Sequence, residues 1–209
     1  MKQLRQFLKG AVFGVLAFGM VVALPMDVSA AARLSFPYKW PHSPNVISFR
    51  CEIPETSAVK NAMNVWNTVK DPQGNPMLTL QTNTNSNNPN SIYYINDWYQ
   101  KSYIGLCTPT LQGTTVTSMK IWLNQADKTF SVGAKNGCYD IQTIVEHELG
   151  HALCIRHCHE GRPEDCFSST CSSNVMNPNP ETGKLRRVLQ SYDRVSYQAI
   201  YGYLEEERI

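Results

Sequence analysis

The sequence lacks an excess of charge of either sign. Its 209 residues include 19 lysines and arginines against 17 aspartates and glutamates, for a formal net charge of +2. Proteins that bind nucleic acid need clustered basic side chains, because contacts to phosphates provide much of the affinity. No such cluster stands out along this chain, so the composition argues against nucleic acid as a partner.

A long hydrophobic run is also missing. The apolar segment from Ala11 to Leu24 is shorter than the roughly 20 residues that span a bilayer as a helix. Basic residues precede this segment, namely Lys2, Arg5 and Lys9, and a small-residue end follows it at positions 28–30. This arrangement is typical of a secretory signal peptide. We therefore predict a signal peptide over residues 1–30, a secreted or periplasmic protein, and no stable membrane span after cleavage.

An internal repeat is the third missing feature. Residues 31–209 show no periodic self-similarity and carry 16 basic and 16 acidic side chains. A stretch of about 180 residues is long enough for one domain with a hydrophobic core. We expect a single domain over residues 31–209, and a monomer.

The most informative segment that is present reads HELGHALCIRH, from His147 to His157. Histidines four residues apart share one face of a helix, so His147 and His151 can point to one metal ion. His157 can reach the same point only if the helix ends near Leu153 and the chain turns back. Three imidazoles leave the fourth tetrahedral position of Zn²⁺ open, as in a catalytic site. Glu148 lies beside a ligand, and we predict that it acts as the general base.

The residues before this motif complete an amphipathic helix. Asp140 is the predicted N-cap, because its carboxylate can accept a hydrogen bond from the first helical turn. Apolar residues recur after it at helical spacing, at Ile141, Ile144, Val145, Leu149 and Ala152. A turn that contains Met176 follows downstream. The alternative interpretation is a core helix with two satisfied histidines and a buried methionine.

The extended motif and the turn around Met176 resemble the metzincin zinc endopeptidases, whose pattern is HExxHxxGxxH followed by a Met-turn. Residues 139–142 and 189–202 are most similar to the matrixin group of that family. The resemblance implies an α+β fold of the metzincin-type zincin class, with a twisted mixed β-sheet, an active-site helix and a C-terminal helix. It also implies that residues 31–209 are one catalytic domain.

The same resemblance implies an activity and a set of site residues. The expected reaction is hydrolysis of peptide bonds in a protein or peptide substrate by a zinc-activated water. The residues expected to carry it are the metal ligands His147, His151 and His157, the general base Glu148, and Met176 in the structural Met-turn.

Two positions depart from the family pattern. Cys154 stands where metzincins have a glycine, at a turn that needs a positive φ angle. That conformation costs a non-glycine residue roughly 1 kcal/mol or more, so neighbouring contacts must hold the turn. Residues 177–180 read Asn-Pro-Asn-Pro where matrixins carry tyrosines that line the specificity pocket. We expect a differently shaped pocket and no tyrosine ligand.

The sequence has seven cysteines, all after residue 50. Disulfides are the default expectation in an exported protein. Six paired cysteines would permit fifteen connectivities, and the sequence selects none of them. The odd count leaves a free thiol or an intermolecular bridge. Four cysteines lie between Cys154 and Cys171, where they either staple the loop before the Met-turn or provide a thiol that binds or guards the zinc.

Two other functions remain open. One is an exported metzincin-fold binding protein with little or no turnover, which Cys154 favours and the intact Glu148 argues against. The other is a structural zinc module, whose fourth ligand would be Cys154 or Cys158. The pair His157-Cys158 is also similar to the archaemetzincins, another branch of the family. We interpret His159 as an exposed loop histidine.

Outside the motif, the apolar patterns predict a strand at 46–49, a helix at 54–69, and strands at 77–82, 91–95 and 114–124. Ser191 is the predicted N-cap of the final helix. The resemblance places residues 114–124 at the sheet edge above the cleft. Residues 82–91 are rich in asparagine and serine, which predicts a loop. Their oxygen atoms make Ca²⁺ a second metal hypothesis.

Overall fold

The computed structural model describes residues 35–41, 45–71, 73–158 and 171–202. The predicted signal peptide, His42 and His159 lie outside these ranges. Within them, no helix combines the length and the apolar character needed to cross a membrane. The strands are β1 (Val46–Cys51), β2 (Thr79–Asn83), β3 (Ser91–Ile95), β4 (Gly105–Gln112), β5 (Thr115–Asn124), β6 (Phe130–Ser131) and β7 (Tyr139–Asp140). The helices are α1 (Thr56–Asn67), α2 (Ile141–Ala152) and α3 (Ser191–Tyr201), with a short 3-10 turn at Cys171–Ser173.

Five strands form one mixed sheet in the order β2-β1-β3-β5-β4. The first four are parallel, and β4 runs antiparallel to β5 at one edge. Parallel neighbours need a crossover connection, and α1 provides it between β1 and β2. Strands β6 and β7 pair separately. The result is a mixed α/β architecture, which is compatible with the expected α+β class.

Most of the predicted elements are confirmed. Helix α1 and strands β1, β2, β3 and β5 differ from the predicted ranges by two residues or fewer at each end. At α3 the predicted cap is displaced by one residue. The N-cap is Gln190, whose N–H donates to the carboxylate of Asp193 at 2.8 Å. Ser191 is therefore the first residue of the helix, because Asp193 reaches back to the residue before it.

The expectation that residues 114–124 form the sheet edge is wrong. β5 lies between β3 and β4, so β4 is the edge strand. The sequence pattern of β4 is weak because it includes Gly105 and Pro109, and all its residues are half-buried or exposed. Proline has no N–H to donate to a neighbouring strand. It is therefore tolerated in an edge strand, where one side of the backbone has no neighbour to receive that bond. An edge strand with little apolar alternation gives hydropathy patterning little signal.

A single core connects the three helices to the sheet through Trp66. This side chain of α1 is fully buried, and its Nε1 donates to the backbone oxygen of Glu146 in α2 at 2.8 Å. Its ring meets Tyr197 of α3 edge-on, with centroids 5.8 Å apart. The Tyr197 hydroxyl donates to the carbonyl of Leu78 before β2. The sheet contributes fully buried apolar side chains to this core, at Phe49, Ile92, Met119, Ile121 and Leu123. The contacts of Trp66 join α1 to α2 and α3 within this core.

Candidate metal centre

Asp140 caps the helix that carries the first two histidines, as predicted. Its carboxylate accepts hydrogen bonds from the N–H of Thr143 at 2.9 Å and from the N–H of Gly133 at 2.8 Å. Arg187 adds an ion pair, with its Nε 2.9 Å from Oδ2. Burial acts to raise the pKa of Asp140, but the hydrogen bonds from Arg187, Thr143 and Gly133 hold this pKa below its ordinary value. The cap fixes the point from which the helical motif starts.

The turn that brings the third histidine back begins directly after α2. Cys154 has a φ angle of 66°, in the left-handed region that glycine favours. Its N–H donates to the carbonyl of His151 at 2.8 Å, and the N–H of Ile155 donates to that of Gly150 at 3.0 Å. These two bonds form a Schellman motif, which terminates a helix. The chain therefore turns after Leu153 as predicted, although the turning residue carries a side chain.

The three predicted histidines meet at one point. Nε2 of His157 lies 3.2 Å from Nε2 of His147 and 3.0 Å from Nε2 of His151. A tetrahedral ion with metal–nitrogen bonds of about 2.0–2.1 Å separates its ligand nitrogens by about 3.3 Å. The triad therefore fits a single metal ion. Among the residues that the structure describes, it is the one cluster of at least three histidine, cysteine or acidic side chains that could hold one.

Backbone carbonyls determine which ring nitrogen carries the proton in two of these histidines. Nδ1 of His147 lies 2.7 Å from the carbonyl oxygen of Val175, and Nδ1 of His151 lies 2.9 Å from that of Ile155. A carbonyl oxygen only accepts, so each Nδ1 is the donor and each Nε2 keeps its lone pair. Burial and the neighbouring histidines hold the pKa of His147 well below its ordinary value. His147 is therefore in the neutral form that metal binding requires.

Glu148 lies in the cleft beside the triad. Its side chain is buried, with 5% exposure, and its Oε2 has no hydrogen-bond partner among the described residues. Burial raises the pKa of Glu148 to about 8. Strand β4 comes so close that a Cβ at Gly105 would lie 2.6 Å from Oε1 of Glu148. Only glycine leaves room for this carboxyl group, which is held between α2 and the edge strand.

A cleft of about 240 Å³ contains Glu148 and the three histidines. Its remaining walls come from the start of β4 and the loop before it, from α2, and from the segment after Met176. Their main side chains are Tyr103, Ile104, Leu106, Ile144, Pro178 and Pro180. The two prolines place residues 177–180, which depart from the matrixin pattern, in the wall of the cleft.

Met176 packs against the helix that carries the ligands. Its side chain is fully buried, and a Cβ at Gly150 would collide with its Sδ. The carboxylate of Asp193 accepts the N–H groups of Val175 at 3.0 Å and Met176 at 3.1 Å. Since the carbonyl of Val175 holds the ring of His147, this turn connects α3 to one of the three histidines that could hold a metal ion.

The described cysteines offer no fourth ligand. Cys158 is disulfide-bonded, so its sulfur cannot bind a metal as a thiolate. Cys154 is a free, buried thiol whose Sγ lies 3.6 Å from the hydroxyl of Tyr201. Burial raises the pKa of Cys154 to about 11, which keeps the thiol protonated and unreactive at neutral pH. These two residues therefore support neither the hypothesis of a structural zinc site nor the hypothesis of a thiol that binds or guards the metal.

The default expectation of disulfides does not hold for four cysteines, which are free thiols: Cys51, Cys107, Cys138 and Cys154. Geometry shows why the first two do not pair with each other. Cys51 and Cys107 share one row across the sheet, through Ile92 and Ile121. Three strand spacings of about 4.8 Å place them about 14 Å apart, whereas a disulfide needs Cα atoms within about 7 Å.

The asparagine-rich loop uses its oxygen atoms internally. The side-chain oxygens of Asn83, Asn85 and Asn88 each accept a backbone N–H two residues further along. The guanidinium of Arg50 donates to the carbonyl of Ser86 in the same loop. These contacts give the calcium hypothesis no support, because calcium needs several free oxygen ligands.

Four parts of the site were missed by the sequence-based predictions. The carbonyls of Val175 and Ile155 orient two ligands, but backbone groups leave no residue-specific signal. Gly105 gives room to Glu148, and only its place as the first residue of an undetected strand could have indicated it. Asp193 is recognisable as a first-turn acid of α3, and its reach to the turn at Met176 depends on tertiary packing.

Comparisons with models of protein families and with curated proteins find no match for this chain. The geometry itself gives a HExxH-type histidine triad, on and just after a helix of a mixed α/β fold, that could hold a metal ion. Any more specific function has to be inferred from the arrangement of these residues.

Proposed function

We propose that this chain is an exported zinc-dependent endopeptidase of the metzincin type, most similar to the matrixins. The observation that carries this proposal is the placement of Glu148 in one cleft with His147, His151 and His157. Its Oε2 is buried and has no partner among the described residues. A carboxylate oxygen beside a three-histidine metal site is the arrangement that general-base hydrolysis requires. A protein that only binds a metal has no need of that carboxylate.

The donor set favours zinc. Imidazole nitrogens suit Zn²⁺ as well as copper, iron and nickel, and three histidines with an open fourth position are typical of catalytic zinc. When bound, Zn²⁺ would lower the pKa of a water toward about 7 and polarise the carbonyl of a substrate. We therefore propose zinc as the metal of this site.

The catalytic work of the protein falls to Glu148. The charge of a bound Zn²⁺ would favour the ionised form of Glu148, and this carboxylate accepts a proton from the attacking water as the new carbon–oxygen bond forms. It then delivers that proton to the amine nitrogen as the carbon–nitrogen bond breaks. Gly105 preserves the space for this carboxyl group. The carbonyls of Val175 and Ile155 keep the imidazole rings of His147 and His151 in place.

The edge strand supports a polypeptide as the substrate. β4 is the last strand on its side of the described sheet, and its first residue, Gly105, adjoins Glu148. An extended peptide can add to such an edge by backbone hydrogen bonds, which would hold a peptide bond next to the carboxylate. The apolar wall formed by Leu106, Ile144 and Pro178 suits an apolar substrate side chain. Export is proposed from the signal-peptide pattern of residues 1–30 alone.

The test is cleavage of a random peptide library by the purified protein and by Glu148→Gln, with bound zinc measured for both. General-base catalysis contributes about 10²–10⁴-fold, so the variant should keep its zinc and lose cleavage by that factor. Glu52→Gln, on an exposed residue, is the control and should cleave like the parent. Cleavage that survives in Glu148→Gln would refute the role of this carboxylate. Zinc without cleavage in the parent would favour the binding protein.

A further inference from the structure

An extended segment before β1 connects the sheet to the metal centre. We call residues 35–40 the N-terminal strap. At one end, Lys39 pairs with the start of β5, and the N–H of Val116 donates to its carbonyl at 2.9 Å. At the other end, Ser35 forms an antiparallel bridge with Ile155, just after the turn that follows α2.

The strap binds the carbonyl groups at the end of α2. The last carbonyls of a helix have no partner within the helix. The indole Nε1 of Trp40 donates to the carbonyl of Ala152 at 2.7 Å. The N–H of Phe36 donates to the carbonyl of Cys154 at 2.9 Å. One donor from the strap therefore satisfies the last carbonyl of the helix, and the second satisfies the carbonyl of the turning residue, Cys154.

The turn needs such support because its central residue is strained. Among the residues that the structure describes, Cys154 is the one non-glycine residue with a positive φ angle. An L-residue with a side chain occupies this region at a cost and persists there when its surroundings fix it. The strap binds the carbonyl of Ala152 before Cys154 and the carbonyl of Cys154 itself, and it pairs with Ile155 after it.

The strap also contacts a metal-binding histidine directly. The ring of Phe36 lies 5.9 Å from the ring of His151, tilted by 57°. Tyr38 stacks on Phe36 at 5.2 Å, and the guanidinium of Arg156 lies 5.7 Å from the centre of the Phe36 ring. Ile155, the bridge partner of Ser35, provides the carbonyl that holds Nδ1 of His151. The strap thus supports this ring both directly and through its hydrogen-bond acceptor.

We propose that the N-terminal strap contributes to metal binding by positioning the metal centre. Phe36 and Trp40 are positioning residues, which hold the turn at Cys154 and the ring of His151 in the geometry that binds metal. This inference rests on the metal-binding part of the proposed function and is independent of peptide-bond hydrolysis. Groups that support a ligand from outside the coordination sphere typically change metal affinity by about 10–100-fold, and the strap should act in this range.

The first test compares Phe36→Ala with Phe130→Ala. Both phenylalanines are half-buried and contact two other aromatic rings, but Phe130 meets Tyr94 and Tyr139 and no histidine. Zn²⁺ affinity is measured by competition with a chelator, the Co²⁺ absorption spectrum reports ligand geometry, and thermal unfolding of the metal-free proteins reports stability. Phe36→Ala should weaken zinc binding at least about tenfold and alter the Co²⁺ spectrum, while Phe130→Ala at similar stability changes neither. Phe36→Tyr, which keeps the ring, should restore both.

The second test asks whether the strap compensates for the strained turn. Trp40→Phe removes the indole donor to the carbonyl of Ala152, whereas Phe36→Ala leaves the backbone N–H of residue 36 in place. Cys154→Gly makes the positive φ angle inexpensive, so Trp40→Phe should lose less zinc affinity in the Cys154→Gly background than in the parent. An equal loss in both backgrounds would overturn the role in the turn. Equal zinc affinities for Phe36→Ala and Phe130→Ala would overturn the whole inference. A parent that binds zinc and cleaves nothing would refute the protease alone, whereas a parent that binds no metal would refute both proposals.

Discussion

Helix α2 carries carboxyl groups at its N-terminal end and in its middle, and their surroundings differ sharply. At the end, Asp140 accepts hydrogen bonds from backbone and side-chain donors and an ion pair from Arg187, which keep its pKa low. In the middle, Glu146 is 0% and Glu148 5% exposed. Each has at least one carboxylate oxygen without a hydrogen-bond partner among the described residues. Burial raises the pKa of each glutamate to about 8.

The difference separates a stabilising carboxylate from one that is available for chemistry. A buried acid that lacks partners costs stability, and such groups cluster at functional sites. Glu148 fits this rule because it lines the cleft. Glu146 does not line that cleft. The amide of Gln142 lies close enough to favour its ionised form, although outside hydrogen-bonding geometry. Nothing in the described structure explains a carboxyl group at position 146.

The largest expected effect comes from neutralising the two buried glutamates separately. Glu148→Gln should lower cleavage by about 10²–10⁴-fold, whereas Glu146→Gln should cleave like the parent. The folded-state pKa of Glu146 is raised to about 8, so the parent loses stability as the pH rises from its unfolded pKa toward 8. Glu146→Gln should lose less stability over this range, because the contribution of Glu146 is removed and that of Glu148 remains. Cleavage assays and urea unfolding at pH 5 and pH 8 measure both effects, and a cleavage defect in Glu146→Gln would abolish the distinction between the two glutamates.

A smaller effect is expected from crowding the carboxyl group of Glu148 without removing it. In Gly105→Ala the new Cβ would lie 2.6 Å from Oε1 and 3.0 Å from Cγ of Glu148, so the carboxyl must move. Displacement of a catalytic group by about 1 Å can cost up to about 100-fold in rate. We expect a lower kcat with zinc content unchanged. Gly113→Ala is the control: its new Cβ would meet open space, and its positive φ of 62° should cost stability while kcat stays at the parent value. A Gly105→Ala variant with full kcat would show that the close approach is unimportant.

The smallest effect is expected at the satisfied carboxylate. Asp140→Asn removes the charge of the cap and the ion pair with Arg187, and it should lower the free energy of unfolding at pH 7 by about 1–3 kcal/mol. Because the folded-state pKa of Asp140 is lowered, its contribution is present above the unfolded pKa and is lost as the pH falls through the folded pKa.

Denaturant unfolding of Asp140→Asn and the parent from pH 7 to pH 2 measures this dependence. The difference in the free energy of unfolding between the two proteins should shrink below about pH 4. Asp127→Asn disrupts a more exposed ion pair with Lys128, and it should change the free energy of unfolding by less than about 1 kcal/mol. A difference between Asp140→Asn and the parent that is constant with pH would contradict the assigned role of the charge.

The parts of the site that follow from local spacing could be predicted from the sequence. Helical periodicity, the cap at Asp140 and the need for a turn before His157 all depend on residues close together in the chain. The same holds for α1 and for four of the five strands of the sheet, whose apolar patterns are clear.

The remaining parts depend on tertiary contacts. The edge strand β4 has no buried face that could mark it in the sequence. The acceptors for His147 and His151 are backbone carbonyls, which any residue provides. The strained turn at Cys154 could be located from the motif, but its support comes from Phe36 and Trp40, more than a hundred residues earlier.

The three histidines that converge on one point all lie within eleven consecutive residues. Closing so short a loop costs little entropy, so the unfolded chain keeps three imidazoles within reach of a single ion. A metal that binds both states stabilises the native protein only by the difference between its two affinities. The remote groups that fix the rings, on the strap, at Val175 and at Asp193, act only in the folded chain. They, rather than the histidines themselves, would determine how much of a metal's binding energy becomes folding energy.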